Sequence, residues 1–277
     1  MDDSTLAALE HENLLAALTA GIGAARDGLV RREAGLAILG SGLPIAFFNQ
    51  ITIEDDRATP EAVAGAVALM RERGQPFVVH IRRGIDDRFR PLLDALGLVL
   101  PAAASPMPGM ALHPIPPSRT ALPAGHEIRL VTDAEGMEDH IATCALGFGM
   151  PAAMLRVIVG AETWQRPGTA VYVGYADGVP VTTGLSLRTG RTIGVYNIAT
   201  IESARRQGLG AAMTERVAAD GRHEGCDVAI LQASAMGRPV YERLGYRMVV
   251  AYDGYGDPGL AGPEPPDGAT GGSVSRD

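Results

Sequence analysis

Arg205-Arg206-Gln207-Gly208-Leu209-Gly210 stands between a strand-like run at 192–201 and a helical pattern at 208–222, in which Leu209, Ala212, Met213 and Val217 share one face. A loop at that point leaves the first N–H groups of the helix without intrahelical acceptors, and the helix dipole adds partial positive charge. Gly208 and Gly210 carry no Cβ that would hold a ligand off the backbone, and Arg205 and Arg206 can add charge. The combination suits an anion such as a pyrophosphate. In isolation the same six residues fit an ordinary tight strand-to-helix turn equally well. A dinucleotide fingerprint would need a third glycine and an acidic residue ending the next strand, and a P-loop would need a lysine. The loop has none of these.

Working outward, a strand is expected at 227–233, followed by Gly237-Arg238-Pro239-Val240-Tyr241-Glu242-Arg243-Leu244-Gly245-Tyr246. This order and spacing resembles the GCN5-related N-acetyltransferase (GNAT) family. The family's R/Q-x-x-G-x-G/A motif falls on Arg205, Gly208 and Gly210, and its later Y-x-x-L-G-Y/F segment on Tyr241, Leu244, Gly245 and Tyr246. Residues 126–250 fit the whole domain. The resemblance implies an α/β fold with a mixed, mostly antiparallel sheet flanked by helices, and acetyl-CoA as co-substrate. It also implies that two central strands splay apart, with the backbone of Ile198, Ala199 and Thr200 pairing with the pantetheine arm. Arg205, Arg206, Gln207, Gly208, Leu209, Gly210 and Ala211 would hold the pyrophosphate. Ser234 stands where many members carry an asparagine that contacts coenzyme A. Tyr241 would protonate the departing thiolate, and the acceptor would be a small-molecule or peptide amine attacking directly. No metal is implied.

Tyr241 also has a plain structural reading, since one aromatic near a helix start usually packs in a core. Val240 and Leu244 offer a buried i, i+4 pair, which would leave Tyr241 on another face. Its hydroxyl, ordinarily near pKa 10, is a reasonable donor to a thiolate. A general base does not stand out. Glu202 reads as a turn residue, Asn197 and Tyr196 can line the substrate side, and the histidines lie outside the motif segments.

The first half repeats the second. Asn49-Gln50-Ile51-Thr52-Ile53-Glu54 and Asn197-Ile198-Ala199-Thr200-Ile201-Glu202 share Asn, Thr, Ile and Glu at one offset, which also places Arg57 on Arg205 and Arg90-Pro91 on Arg238-Pro239. An internal duplication follows. At that offset Gly208 falls on Pro60, Gly210 on Ala62 and Tyr241 on Leu93, while Asp55, Asp56 and Glu61 crowd the anion position. The first half thus reads as a degenerate copy that supports the second or walls off its acceptor pocket. The expected layout is a degenerate GNAT-like domain at 1–115, a linker at 116–125 that begins inside the proline-rich stretch 101–123, a GNAT domain at 126–255, and a disordered tail at 256–277.

Composition bounds the rest. The chain has 277 residues, 46% hydrophobic and 20% charged, enough to bury a core. The net charge of −8, with arginine supplying every basic residue, argues against nucleic acid or an anionic membrane as partner. Cys144 and Cys226 are too few for a disulfide scaffold, and the start Met1-Asp2-Asp3-Ser4 lacks a secretion signal, so a cytoplasmic protein is expected. A homodimer is compatible with all of this. The alternative to an N-acetyltransferase is a catalytically idle acyl-CoA-binding sensor or scaffold; the presence of Tyr241 favours the enzyme.

Overall fold

The computed structural model describes residues 1–101, 105–118 and 121–260. Most of the expected tail therefore lies outside the described residues. Helix α1 (Asp3–Ile22) starts where Asp2 accepts a hydrogen bond from the Thr5 N–H at 2.8 Å. The first half continues with β1 (Leu29–Glu33), β2 (Leu36–Gly40), β3 (Asn49–Ile53), α2 (Pro60–Glu72), β4 (Val78–Arg82), α3 (Arg90–Ala95) and β5 (Met107–Leu112). The second half comprises β6 (His126–Leu130), α4 (Ala134–Phe148), α5 (Ala152–Ile158), β7 (Thr169–Ala176), β8 (Val179–Thr189), β9 (Thr192–Thr200), α6 (Leu209–His223), β10 (Val228–Gln232), α7 (Arg238–Arg243) and β11 (Arg247–Gly256). No single described helix is long and apolar enough to cross a membrane.

The duplication is visible in three dimensions. In each half a strand pairs antiparallel with the next (β2 with β3, β8 with β9), a helix crosses over, and the following strand pairs parallel (β3 with β4, β9 with β10). A one-turn helix then follows, α3 in one half and α7 in the other, each with proline in its first turn.

The two halves interlock. All eleven strands form one sheet in the order β1-β2-β3-β4-β11-β5-β10-β9-β8-β7-β6. The last strand of each half thus lies between strands of the other: β5 is flanked by β11 and β10, and β11 by β4 and β5. The proline-rich stretch 101–123 thus contains β5, which occupies the middle of the sheet. Helix α1 packs across the exchanged strands and reaches both halves. Its buried positions include Leu6, Ala7 and Leu14, but also Glu10, His11 and Asn13. Separate cores lie under α2 (Val63, Val67, Met70), under α4 (Met137, Ile141, Cys144) and under α6 (Met213, Val217, Ala218).

Candidate active site

Pairing between β9 and β10 ends at Gly194–Ile230, and the two strands separate beyond that point. A register shift between β8 and β9 near Thr183–Leu185 coincides with Asn197, whose φ of +51° marks a bulge in β9. The outer edge of β10 is taken by β5, down to an Ala233 N–H bond to the Pro108 carbonyl at 3.0 Å, so the gap opens only toward β9. Ile198 packs in the core under α6 and Ala199 in the core under α4. With those side chains on opposite faces, the strand offers backbone to the gap. The carbonyls of Asn197 and Ala199 accept from Thr183 Oγ1 and Thr182 Oγ1, both at 2.8 Å, which pins the bulged segment to β8.

A cleft of about 870 Å³ fills this gap, lined by Ile198, Ala199 and Thr200 on one side and by Ser234, Val240 and Tyr241 on the other. At one end lies the start of α6. Gly208 is the N-cap in the left-handed region (φ +82°), and no side chain caps the helix. The N–H groups of Leu209, Gly210 and Ala211 have no intrahelical acceptor, and all three residues line the cleft. A Cβ on Gly210 would meet nothing in the protein closer than 3.7 Å, so the space beside it belongs to the cleft.

The arginines divide their work differently from the expectation of two charges on an anion. Arg205 Nε donates to the Thr200 carbonyl at 3.1 Å and its Nη2 to the Gly147 carbonyl at 3.0 Å. Its guanidinium therefore ties the end of β9 to the end of α4. Arg206 is exposed at φ +64° and lines the cleft, so it is the loop cation open to a ligand. Gln207 lies between the left-handed Arg206 and Gly208, is exposed, and is not among the residues lining the cleft.

Ser234 Oγ accepts from the Gly237 N–H at 3.0 Å and keeps its own proton to donate. Tyr241 is half-buried, with its ring edge-on to Tyr246 at 6.1 Å, and burial pushes its hydroxyl up to about 12. The expected Val240–Leu244 buried pair does not form. Val240 faces the cleft beside Tyr241, while Leu244 and Tyr241 both pack against the α6 core, so Tyr241 serves core and cleft at once. Glu202 is exposed in a short turn (Glu202–Ala204) at the cleft margin.

Residues 167–248 match the family model described as an acetyltransferase (GNAT) domain. That match lies wholly within the second half of the chain. The fold is similar to that of a GCN5-related N-acetyltransferase from Kribbella flavida, at 21% identity and a TM-score of 0.66, over 88% of this chain and 94% of that one. It is likewise similar to a tandem GNAT protein from the clavulanic acid biosynthesis pathway, at 15% identity and a TM-score of 0.60, over 99% and 97% of the two chains. A GCN5-related N-acetyltransferase from Sphaerobacter thermophilus gives 15% identity and a TM-score of 0.58, over 86% and 77%. At these identities the likeness is one of fold. A comparison with curated proteins gives no match.

The second half has features that fit an acyl-CoA: an uncapped helix start, room beside Gly210 and a strand edge without a ladder partner. The duplicated half lacks the first of these. There Thr59 Oγ1 accepts from the Ala62 N–H at 3.2 Å, and Pro60 removes a donor from the first turn of α2. Asp55, next to that turn, is chelated by Arg57, whose hydrogen bonds hold its carboxyl down to about 2. The helix start that is open in one copy is closed in the other.

Several lining residues escaped the sequence. Phe47, Phe48 and Met107 enter from the first half, and Gln232 from the end of β10. Behind Gln232 lies a buried acid: Gln232 Nε2 donates to Glu10 Oε1 and Tyr252 Oη to Glu10 Oε2, each at 2.6 Å. Tyr252 Oη also lies 3.0 Å from His11 Nδ1. Burial pushes the Glu10 carboxyl up to about 7 and His11 down to about 4. Gln232 could have been noticed as a polar residue closing an apolar strand. Nothing local marks Glu10.

Proposed function

We propose that the protein is an N-acetyltransferase that moves an acetyl group from acetyl-CoA to the nitrogen of an amine acceptor, with the chemistry confined to the second half. One observation carries this reading: the uncapped start of α6 opens onto the gap where β9 and β10 part. The N–H groups of Leu209, Gly210 and Ala211, with the Arg206 charge, hold the pyrophosphate. The free edge of Ile198, Ala199 and Thr200 takes the amides of the pantetheine arm as an added strand would, and the Ser234 hydroxyl supplies one further donor. Arg205 acts indirectly, by fixing the shape of the loop and of β9.

Acetyl-CoA supplies an activated carbonyl as a thioester. The amine nitrogen forms the new C–N bond as the C–S bond breaks; the sulfur receives a proton from Tyr241, and the proton lost by the nitrogen passes to water. Water then restores the Tyr241 hydroxyl. A hydroxyl held near 12 stays protonated throughout the neutral range and is always loaded as an acid. Burial strengthens the basicity of a thiolate in the same cleft by the same desolvation, which keeps donor and acceptor matched. Incubating the full chain with acetyl-CoA and a panel of amines, with mass analysis of the products, tests the reading. Acetylated amine and free coenzyme A in equal amounts are expected, and Tyr241→Phe should suppress both.

A further inference from the structure

The cleft is chemically two-sided. Around the α6 start it offers N–H groups and arginine, whereas its other end is walled by Phe47, Phe48, Phe148, Met150, Leu155 and Val159. That apolar end is composite. Phe47 and Phe48, edge-on to each other at 5.5 Å, come from the short turn Ala46–Phe48 of the first half, and Phe48 shares a core cluster with Met150, Leu155 and Val159 of the second. Among the described lining residues Glu202 is the sole carboxylate, and it sits in the turn beside Arg205, within the charged part of the cleft. A polycation would therefore bring charges that the apolar end cannot pair.

Gln232 is one of the polar residues lining the cleft. One N–H of its Nε2 is committed to Glu10, which leaves Oε1 as an acceptor, with the second N–H beside it. Its orientation is held from behind, because Glu10 is in turn fixed by Tyr252 and both side chains are buried. The arrangement holds a hydrogen-bond acceptor, Gln232 Oε1, in a fixed position on the cleft wall.

We propose, building on the acetyltransferase reading, that the acceptor is a primary monoamine carried on an apolar, arene-sized body. The body packs between Phe47 and Phe48 of the first half and Phe148 and Met150 of the second, and the nitrogen donates a hydrogen bond to Gln232 Oε1. The choice of wall also serves the chemistry. Desolvation disfavours an ammonium ion, so such a seat favours the neutral nitrogen whose lone pair attacks, and no dedicated carboxylate base is needed beside it. The degenerate half thereby gains a role as half of the acceptor pocket.

The test uses the full chain with 2-phenylethylamine and spermidine as probes. Calorimetry on protein saturated with coenzyme A should show 2-phenylethylamine binding and spermidine not. With acetyl-CoA, kcat/KM for 2-phenylethylamine should exceed that for spermidine at least ten-fold. Phe47→Ala should raise the KM for 2-phenylethylamine about ten-fold while acetyl-CoA affinity stays unchanged, and Gln232→Leu should lower kcat/KM without altering acetyl-CoA affinity. Preference for spermidine, or an unaltered KM in folded Phe47→Ala, overturns the proposal. If acetyl-CoA binds but 2-phenylethylamine does not, the acceptor assignment fails and the acetyltransferase reading stands. If acetyl-CoA itself does not bind, both fail.

Discussion

The Gly147 carbonyl at the end of α4 accepts a hydrogen bond from Arg205 Nη2 at 3.0 Å, while Nε of the same guanidinium holds the Thr200 carbonyl at 3.1 Å. An arginine placed by motif in a phosphate loop thus works as a brace between two elements that line the cleft. Its neighbour Arg206 carries the accessible charge.

The brace and the charge are separable by salt. Arg205→Ala leaves two carbonyls without a charged donor and should cost about 1–3 kcal/mol of stability. Its effect on acetyl-CoA affinity should be nearly independent of ionic strength. Arg206→Ala should leave the melting temperature unchanged and weaken binding mainly at low salt, because an exposed cation is screened over about 8–10 Å at 0.10–0.15 M. Titrations of both variants at 20 mM and 500 mM salt distinguish the two roles.

The two glycines of the loop should respond differently. Gly208 is at φ +82°, so Gly208→Ala should cost about 1 kcal/mol of stability through backbone strain alone. Gly210 has ordinary backbone geometry and room for a methyl group against the protein. Gly210→Ala should therefore melt at or slightly above the parent temperature, yet bind acetyl-CoA at least ten-fold more weakly. Thermal melts paired with calorimetry check both statements.

Tyr241→Phe keeps the ring edge-on to Tyr246 and removes only the hydroxyl. A loss of about 10²-fold or more in kcat is expected, with acetyl-CoA affinity unchanged. Since the hydroxyl titrates near 12, the pH–rate profile should show no fall from its ionisation up to pH 10. Steady-state rates from pH 6 to 10 test this.

Glu10 makes stability depend on pH. Its folded carboxyl titrates near 7 against an ordinary 4.5, so the folded protein holds a proton that the unfolded chain releases. Stability is then lost as pH rises from about 4.5 to 7, by about 3 kcal/mol, and is flat beyond. His11, His80 and His140, each pushed down to about 4 by burial, act oppositely: they withdraw stability as pH falls from 6.5 toward 4. In Glu10→Gln only the histidine effect remains. The melting temperature of the variant relative to the parent should rise between pH 5 and pH 8; a constant difference would contradict the assignment.

Much of the second half is legible locally. The open glycine loop sits on α6, and the 3.6-residue stripe of Leu209, Ala212, Met213 and Val217 is buried as spaced. The repeat at one offset anticipates the shared strand, helix, strand order. The exchanged strands β5 and β11 were hidden because their sequences read poorly as central strands. Pro108 and Gly109 interrupt β5, and Asp253 and Gly254 interrupt β11. Each interruption has a long-range cause. A Cβ on Gly109 would lie 2.5 Å from Glu10 Oε1, and Asp253 is held by Arg83 Nη2 and Arg90 Nη2 at 2.6 and 2.5 Å. Glu10 looks like a solvent-facing residue on a mixed helix until the exchange brings Gln232 and Tyr252 against it. The composite apolar wall, built from Phe47 and Phe48 in one copy and Met150 in the other, follows from the same interlocking.

Calorimetric titration of acetyl-CoA into the full chain is the most direct test, because one copy of the repeated helix start is open and the other closed by Thr59 and Pro60. One site per chain is predicted, abolished by Gly210→Trp and untouched by Ala62→Trp. Two sites per chain, or a single site lost in Ala62→Trp and retained in Gly210→Trp, would contradict it.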